Sequence, residues 1–367
     1  MYYIILYGLI ILSLYEIGTG KKVIFLFNCF YLLLSFVAIF RYGQLADYFA
    51  YSYLYYSPEV MATKELLFYL LSKAFRYIGF DYTIFSAFIS GAIMLLSYPF
   101  FRKICRASAI SLLVFYAYIF QMCVMGAVRQ GICVALLLYL YYCYKEKGAN
   151  WFLFGGVWLF GCLIHLSFVF AIFIPLAMKL SYYNRKVIFL IVPVVIIIAF
   201  IGFDLTNMLL PFLRAKASDY SDIAGQSVVF QVILRTLLIL PLLNFYPRQE
   251  TDGYYAKGIC IVGFFLYCIA AGNNFMAGRI EYYYRVFYCL IAATISMAVM
   301  NRKIKQILLL YIVILHTFIW FKNIDFAIEN GNYRNDVTIF NFPYISIFDK
   351  SEIREKAVVE REMLPYL

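Results

Sequence analysis

The chain is poor in charge and lacks the motifs of soluble catalysis. Only 14% of its 367 residues are Asp, Glu, Lys or Arg, where a soluble domain carries roughly a quarter. No Walker A lysine motif, GxSxG elbow or HExxH helix occurs, so nucleotide-loop, serine-hydrolase and zinc-protease chemistry have no anchor. The 9 cysteines include no CxxC pair, and an odd count argues against a disulfide framework or a zinc site. The two histidines, His165 and His316, are far apart. Neither a metal nor a cofactor is expected. The start, Met1-Tyr2-Tyr3-Ile4, has no basic region and no small-residue cleavage site, so no removable signal peptide is read.

What fills the chain is apolar. Hydrophobic residues make up 65% and the mean hydropathy is +0.82. The apolar runs are about 15 to 20 residues long without strict alternation, which selects helices over barrel strands. The expectation is an all-α, polytopic integral membrane protein with about 12 spans, at 2–15, 23–40, 82–101, 107–124, 127–144, 151–165, 166–178, 187–203, 228–246, 257–272, 281–300 and 305–321. The membrane domain then covers 1–321 and a mostly polar, periplasmic tail covers 322–367. Leu66, Leu67, Leu70, Leu71, Ala74, Phe75 and Ile78 recur at helical spacing within 58–79, which predicts an amphipathic helix in the outer interface. Residues 204–227 read as a polar outward loop, and Lys350 to Met363 as a short solvated helix.

The formal net charge is +11. In a membrane protein its first explanation is topology, since cytoplasmic loops collect Lys and Arg; no nucleic-acid partner is implied. Lys21, Lys22, Arg102, Lys103, Arg106, Lys145, Lys147, Lys179, Arg185, Lys186, Arg248, Lys257, Arg302, Lys303 and Lys305 fall in one alternate set of loops, which should face the cytoplasm. Both termini then face outward. Arg41, Lys64, Lys73, Arg76, Arg129, Arg214, Lys216, Arg235, Arg279 and Arg285 fall in the outward set, against the positive-inside tendency, and need another explanation.

Arg129 sits where an outgoing span ends and a returning one starts, in Met125-Gly126-Ala127-Val128-Arg129-Gln130-Gly131. It reads either as an arginine snorkelling from a helix end or as a fork for phosphate. Arg279 and Arg285 flank Glu281; Glu281 and Arg285 are helical neighbours and can pair, which leaves Arg279 over. His165 ends a span in Ile164-His165-Leu166-Ser167, as a hydrogen-bonded structural residue or a proton carrier. Arg41 and Asp47 precede a run of aromatics that includes Tyr48 and Tyr51. The pair is a surface salt bridge on one reading and, with tyrosines able to stack on sugar faces, part of a glycan site on the other.

Phe40-Arg41 followed by Asp47-Tyr48 and Tyr51, Val128-Arg129-Gln130-Gly131, Ile164-His165-Leu166-Ser167, Arg279 to Arg285, and Asn341-Phe342-Pro343-Tyr344 together resemble the EpsG branch of the Wzy-type polysaccharide polymerases. Where that pattern carries Gly-x-Asp before Tyr, this sequence reads Leu45-Ala46-Asp47. The resemblance implies a GT-C-like glycosyltransferase of the bacterial inner membrane, joining undecaprenyl-diphosphate-linked repeat units at the periplasmic face into O-antigen, capsular or exopolysaccharide. Its partners would be lipid-linked glycan donor and acceptor and membrane lipid, with a chain-length regulator as a further candidate. On that reading Arg129, Arg279, Arg285 and Arg41 bind diphosphate. Asp47, then His165, then Glu281 are the candidate bases, and Tyr48, Tyr51, Gln130 and Tyr344 contact sugar. A lipid-linked oligosaccharide flippase and an O-antigen ligase are the rivals. A flippase should show pseudo-repeated halves and cations reachable from both sides; a ligase differs in its acceptor.

Overall fold

A computed structural model describes residues 1–45, 47–56, 65–148, 150–180, 193, 196, 197, 199, 228–245, 254–331 and 333–350. Of the features expected above, residues 58–64, the loop 204–227, most of the span 187–203 and the charged C-terminal stretch beyond Lys350 lie outside them, as do Lys64, Arg214 and Lys216. Among the described residues the regular elements are helices, and the extended pairings are two isolated bridges, Arg41 to Ser346 and Ser346 to Asp349. Among the described residues four helices are long and apolar enough to cross a membrane: Tyr2–Thr19, Tyr82–Ile104, Ser108–Gly126 and Arg302–Asn330. Shorter apolar helices accompany them, among them Ile24–Ile39, Trp151–Ile164 and Tyr288–Ala298. The chain forms two compact units, one of Met1–Leu166 with Leu309–Leu367 and the other of Ser167–Leu308.

In the first unit, α1 (Tyr2–Thr19) and α2 (Ile24–Ile39) lead through a turn to α3 (Asp47–Tyr56) and α4 (Leu66–Tyr77). Helix α4 forms over part of the stretch 58–79 that the spacing predicts as helical: Phe68 and Ser72 are buried, and Leu66 and Leu70 are exposed. Helix α5 (Tyr82–Pro99) opens into a π turn over Phe100–Ile104. Pro99 has no N–H to return to the preceding turn, and the Cys105 N–H reaches back to the Phe100 carbonyl at 3.2 Å.

Helix α6 (Ser108–Phe115) runs on as a π-helix over Tyr116–Gly126. Its residues are buried on nearly every side, so this hydrophobic-all-round segment is the core of the unit. Glu16, in the last turn of α1, is buried and accepts the Ser108 and Ala109 N–H groups at 3.3 and 2.8 Å. It thereby caps α6 from another helix. Helices α7 (Val128–Lys147) and α8 (Trp151–Ile164) complete the apolar part of the unit.

The loop cations segregate in this unit. Lys22 Nζ donates to the Arg102 carbonyl at 2.9 Å and Lys103 Nζ to the Tyr142 hydroxyl at 3.3 Å, near the end of α7 that carries Lys145 and Lys147. Arg129 lies at the other end of α7, about 27 Å away at 1.5 Å per residue.

The second unit holds a 3₁₀ turn (Leu166–Phe173, from its second residue on), α9 (Ile174–Leu180), α10 (Val228–Phe245), α11 (Tyr254–Ile269), α12 (Asn274–Arg285) and α13 (Tyr288–Ala298). The span expected over 281–300 is two helices, with Glu281 on the first. The chain tightens at the junction, where the Phe287 N–H bonds the Tyr284 carbonyl at 3.1 Å. Val286 and Phe287 are buried, so the break is internal.

The last helix among the described residues, α14 (Arg302–Asn330), is about 44 Å long at 1.5 Å per residue and runs past the expected end at 321. The tail then folds back. Tyr333, Phe342 and Ile345 are buried, the Tyr42 N–H bonds the Ile345 carbonyl at 3.1 Å, and the Ile347 N–H bonds the Phe40 carbonyl at 3.0 Å. Expected as a mostly polar tail, this stretch is a strap on the first unit: Phe342 and Tyr344 pack on Tyr2 of α1, and the Phe342 N–H donates to the Tyr3 hydroxyl.

Candidate functional site

The site in the first unit grows from how α7 and α8 meet. A Cβ on Gly131 would stand 2.1 Å from the Cys123 carbonyl oxygen, so only glycine lets α7 lie this close to the π-helix. Cys133 Sγ points at the Gly161 carbonyl at 3.5 Å, tying α7 to α8. Arg129 is in the first turn of α7. His165 caps the end of α8, its N–H bonded to the Gly161 carbonyl at 2.8 Å. Two helices running in opposite senses thus bring these residues, well apart in sequence, to one end.

A third residue joins them. Glu65, immediately before α4, is 1% exposed. One carboxylate oxygen, Oε1, lies 2.7 Å from His165 Nδ1, and the other, Oε2, accepts from Arg129 Nη1. The Arg129 guanidinium stands 4.6 Å from the centre of the Tyr51 ring and 5.9 Å from that of Phe68, an attractive cation–π arrangement. Asp47 adds its charge to the field at Arg129. The Arg129 side chain keeps 17% exposure, and its buried Nε has no hydrogen-bond partner among the described residues.

The chemistry of the trio follows from its charges. Glu65 balances Arg129, so the pair is neutral. A His that donates Nδ1–H to a carboxylate keeps its ring orientation and has the basic lone pair on Nε2. The cluster can therefore accept a proton beside a fixed guanidinium whose remaining donors suit an oxyanion. Sequence reasoning missed Glu65, which falls inside the stretch 58–79 read for its apolar spacing alone.

The other expected residues are placed as follows. Arg41 is 2% exposed. Its Nη1 donates to the carbonyls of Ala38 and Val124 at 3.2 and 2.9 Å and to Ser90 Oγ at 2.5 Å, and its Nη2 donates to Ser86 Oγ at 3.1 Å. It ties α2, α5 and the π-helix together and is not brought to Arg129. Tyr51 is under Arg129, and Tyr48 is buried one turn earlier against Tyr82, with ring centres 5.1 Å apart. Gln130 is buried in α7. Tyr344 is half-buried in the strap and donates to the Val37 carbonyl at 3.2 Å; burial pushes its phenol up to about 12, with Arg41 opposing.

The second unit has a cluster of its own. Glu281 Oε2 accepts from Arg235 Nε at 2.7 Å and from Arg285 Nη1 at 3.2 Å. Arg235 also donates to the Gln231 carbonyl and Oε1 at 3.1 and 2.5 Å and stands 3.6 Å from the Tyr267 ring centre. Arg285 stands 4.1 Å from that of Tyr282. All three charged side chains are nearly inaccessible. Gly263 lets α11 approach α12, since a Cβ there would meet the Tyr284 Cβ at 2.2 Å. Arg279 is half-buried on α12. Among the described residues no three His, Cys, Asp or Glu side chains are grouped as metal ligands.

The EpsG family model matches residues 24–346, a span that contains both clusters and the strap as far as Ser346. Comparison with curated proteins and with solved structures gave no match.

Proposed function

The chain belongs to the EpsG family, and we propose that it polymerises undecaprenyl-diphosphate-linked oligosaccharide repeat units at the periplasmic face of the bacterial inner membrane. The observation that carries this reading is Glu65 bridging Arg129 and His165 at one end of the first unit.

His165 takes the proton of the acceptor hydroxyl on Nε2 while Glu65 holds the ring by Nδ1. The acceptor oxygen attacks the anomeric carbon of the donor chain. The bond from that carbon to the diphosphate oxygen breaks, and the electron pair leaves with the undecaprenyl diphosphate. Arg129 stands beside the departing diphosphate, where charge grows as the bond breaks. A preorganised donor in a water-poor site is worth on the order of 3–4 kcal/mol at that moment. One displacement inverts the anomeric centre. Asp47 adds negative charge to the field around Arg129. Tyr48 and Tyr51 offer aromatic faces to sugar. Helix α4, with Leu66 and Leu70 exposed, lies where a lipid tail would pass.

The test is Arg129→Ala in a strain lacking the wild-type protein, with membrane levels matched and surface glycan run on a gel. Loss of the ladder, leaving single repeat units, is expected. A normal ladder of long chains removes Arg129, and with it this mechanism. If the wild-type protein in liposomes moves lipid-linked units across the bilayer without lengthening them, the chain is a flippase instead.

A further inference from the structure

Leu45 is the one non-glycine residue with positive φ among the described residues, at +67°. For an L-residue that region costs roughly 1–2 kcal/mol, so something must hold it. Leu45 is buried and its N–H donates to the Tyr333 hydroxyl at 3.1 Å. Its own carbonyl accepts the Tyr48 N–H at 3.5 Å, in the first turn of α3. That helix carries Asp47, which acts on Arg129 through its charge, and Tyr51, whose ring lies under the guanidinium.

Tyr333 is itself held. Its ring packs on Phe342 with centres 5.0 Å apart, Phe342 packs on Tyr2 at 5.3 Å, and the Tyr2 hydroxyl donates to Gln44 Oε1, next to Leu45. Gln44 in turn donates to the Pro343 carbonyl at 3.2 Å. Burial pushes the Tyr333 phenol well up, so the hydroxyl keeps its proton at any pH the membrane meets.

We infer that Tyr333, from the C-terminal strap, is a positioning residue for the polymerase: its hydroxyl holds Leu45 in the left-handed turn that sets α3, and through Tyr51 of that helix fixes the Arg129 guanidinium. The inference rests on the polymerase reading above. Strain near a site that must be held to a fraction of an ångström is a recognised form of preorganisation. Nothing in the ring packing of Tyr333 requires its hydroxyl, so Tyr333→Phe isolates the one hydrogen bond.

The experiment compares wild type, Tyr333→Phe, Leu45→Gly and the double variant, with Arg129→Ala as the inactive control. Polymerisation rate at saturating and limiting lipid-linked substrate and the thermal unfolding midpoint in detergent are read for each. Tyr333→Phe should lower kcat about 5- to 30-fold, the population change that a strain of this size implies, with KM little moved. Glycine adopts φ +67° without strain, so the double variant should recover most of the rate, while its midpoint falls further because a buried leucine is gone. A purely structural strap makes the double variant worse on both measures, and that result overturns the inference. So does a wild-type rate in Tyr333→Phe. A wild type that polymerises nothing sinks the polymerase reading and this inference with it, and is recognised by wild type equalling Arg129→Ala.

Discussion

In the first unit a carboxylate, Glu65, is shared between Arg129 and His165; in the second a carboxylate, Glu281, is shared between Arg235 and Arg285. The ingredients differ by one side chain, and that side chain decides what each cluster can do. Histidine changes charge near neutral pH and arginine does not. The first cluster can carry a proton, and Arg129 keeps some exposure. The second joins two guanidiniums to its carboxylate, against the rings of Tyr267 and Tyr282 beside the break between α12 and α13. Position differs too. Glu65 enters from a segment outside the spans and joins three elements, whereas Glu281 and Arg285 are one turn apart on a single helix. The lesson is that an arginine–carboxylate pair in a membrane protein signals chemistry only when its third partner can titrate or open to a ligand.

The comparison can be broken most directly at His165. Replacing it with Gln, which keeps a side chain of similar reach, should cut the initial polymerisation rate on the order of 10²- to 10⁴-fold, as for loss of a general base. An undiminished rate at matched membrane levels would erase the distinction between the clusters. Glu281→Ala is the counterpart: two buried guanidiniums lose their carboxylate, and stability should fall by about 3–5 kcal/mol, read as a drop in the unfolding midpoint in detergent. A variant that unfolds normally yet polymerises slowly would move the second cluster into the reaction. Gly131→Ala sharpens the geometric side, since the new methyl would strike the Cys123 carbonyl. It should cost about 1–3 kcal/mol by overpacking and slow the reaction as Arg129 is displaced; a crystal or cryo-electron structure with α7 unmoved would contradict this. The smallest effect is expected from Tyr344→Phe. Losing one hydrogen bond to the Val37 carbonyl should cost about 0.5–1.5 kcal/mol and leave the rate alone. A slower enzyme at an unchanged midpoint would return Tyr344 to the sugar contacts.

Arg129 and His165 were legible as candidates because each stands where an apolar run stops, and a polar group at a span end is conspicuous. Glu65 was not, because an acid beside an interfacial helix has an ordinary solvated explanation and nothing local announces two partners from other helices. Arg41 stood out for the same reason as Arg129, yet its neighbours Ser86 and Ser90 come from a later helix and turn it into a brace. The left-handed turn at Leu45 had no local signal, because the hydroxyl that accepts its N–H belongs to Tyr333, near the other end of the chain.

Composition and apolar run length determined, without any structure, that this chain is helical and lives in a bilayer, since lipid leaves a backbone no other way to satisfy its hydrogen bonds across so many short runs. They also determined which loops collect cations. Which arginine became a brace, which became half of a buried pair and which stayed beside a histidine was decided only by tertiary structure. The cost of a buried charge depends on partners brought from distant segments, and that information is not carried by the residue's own neighbours in sequence.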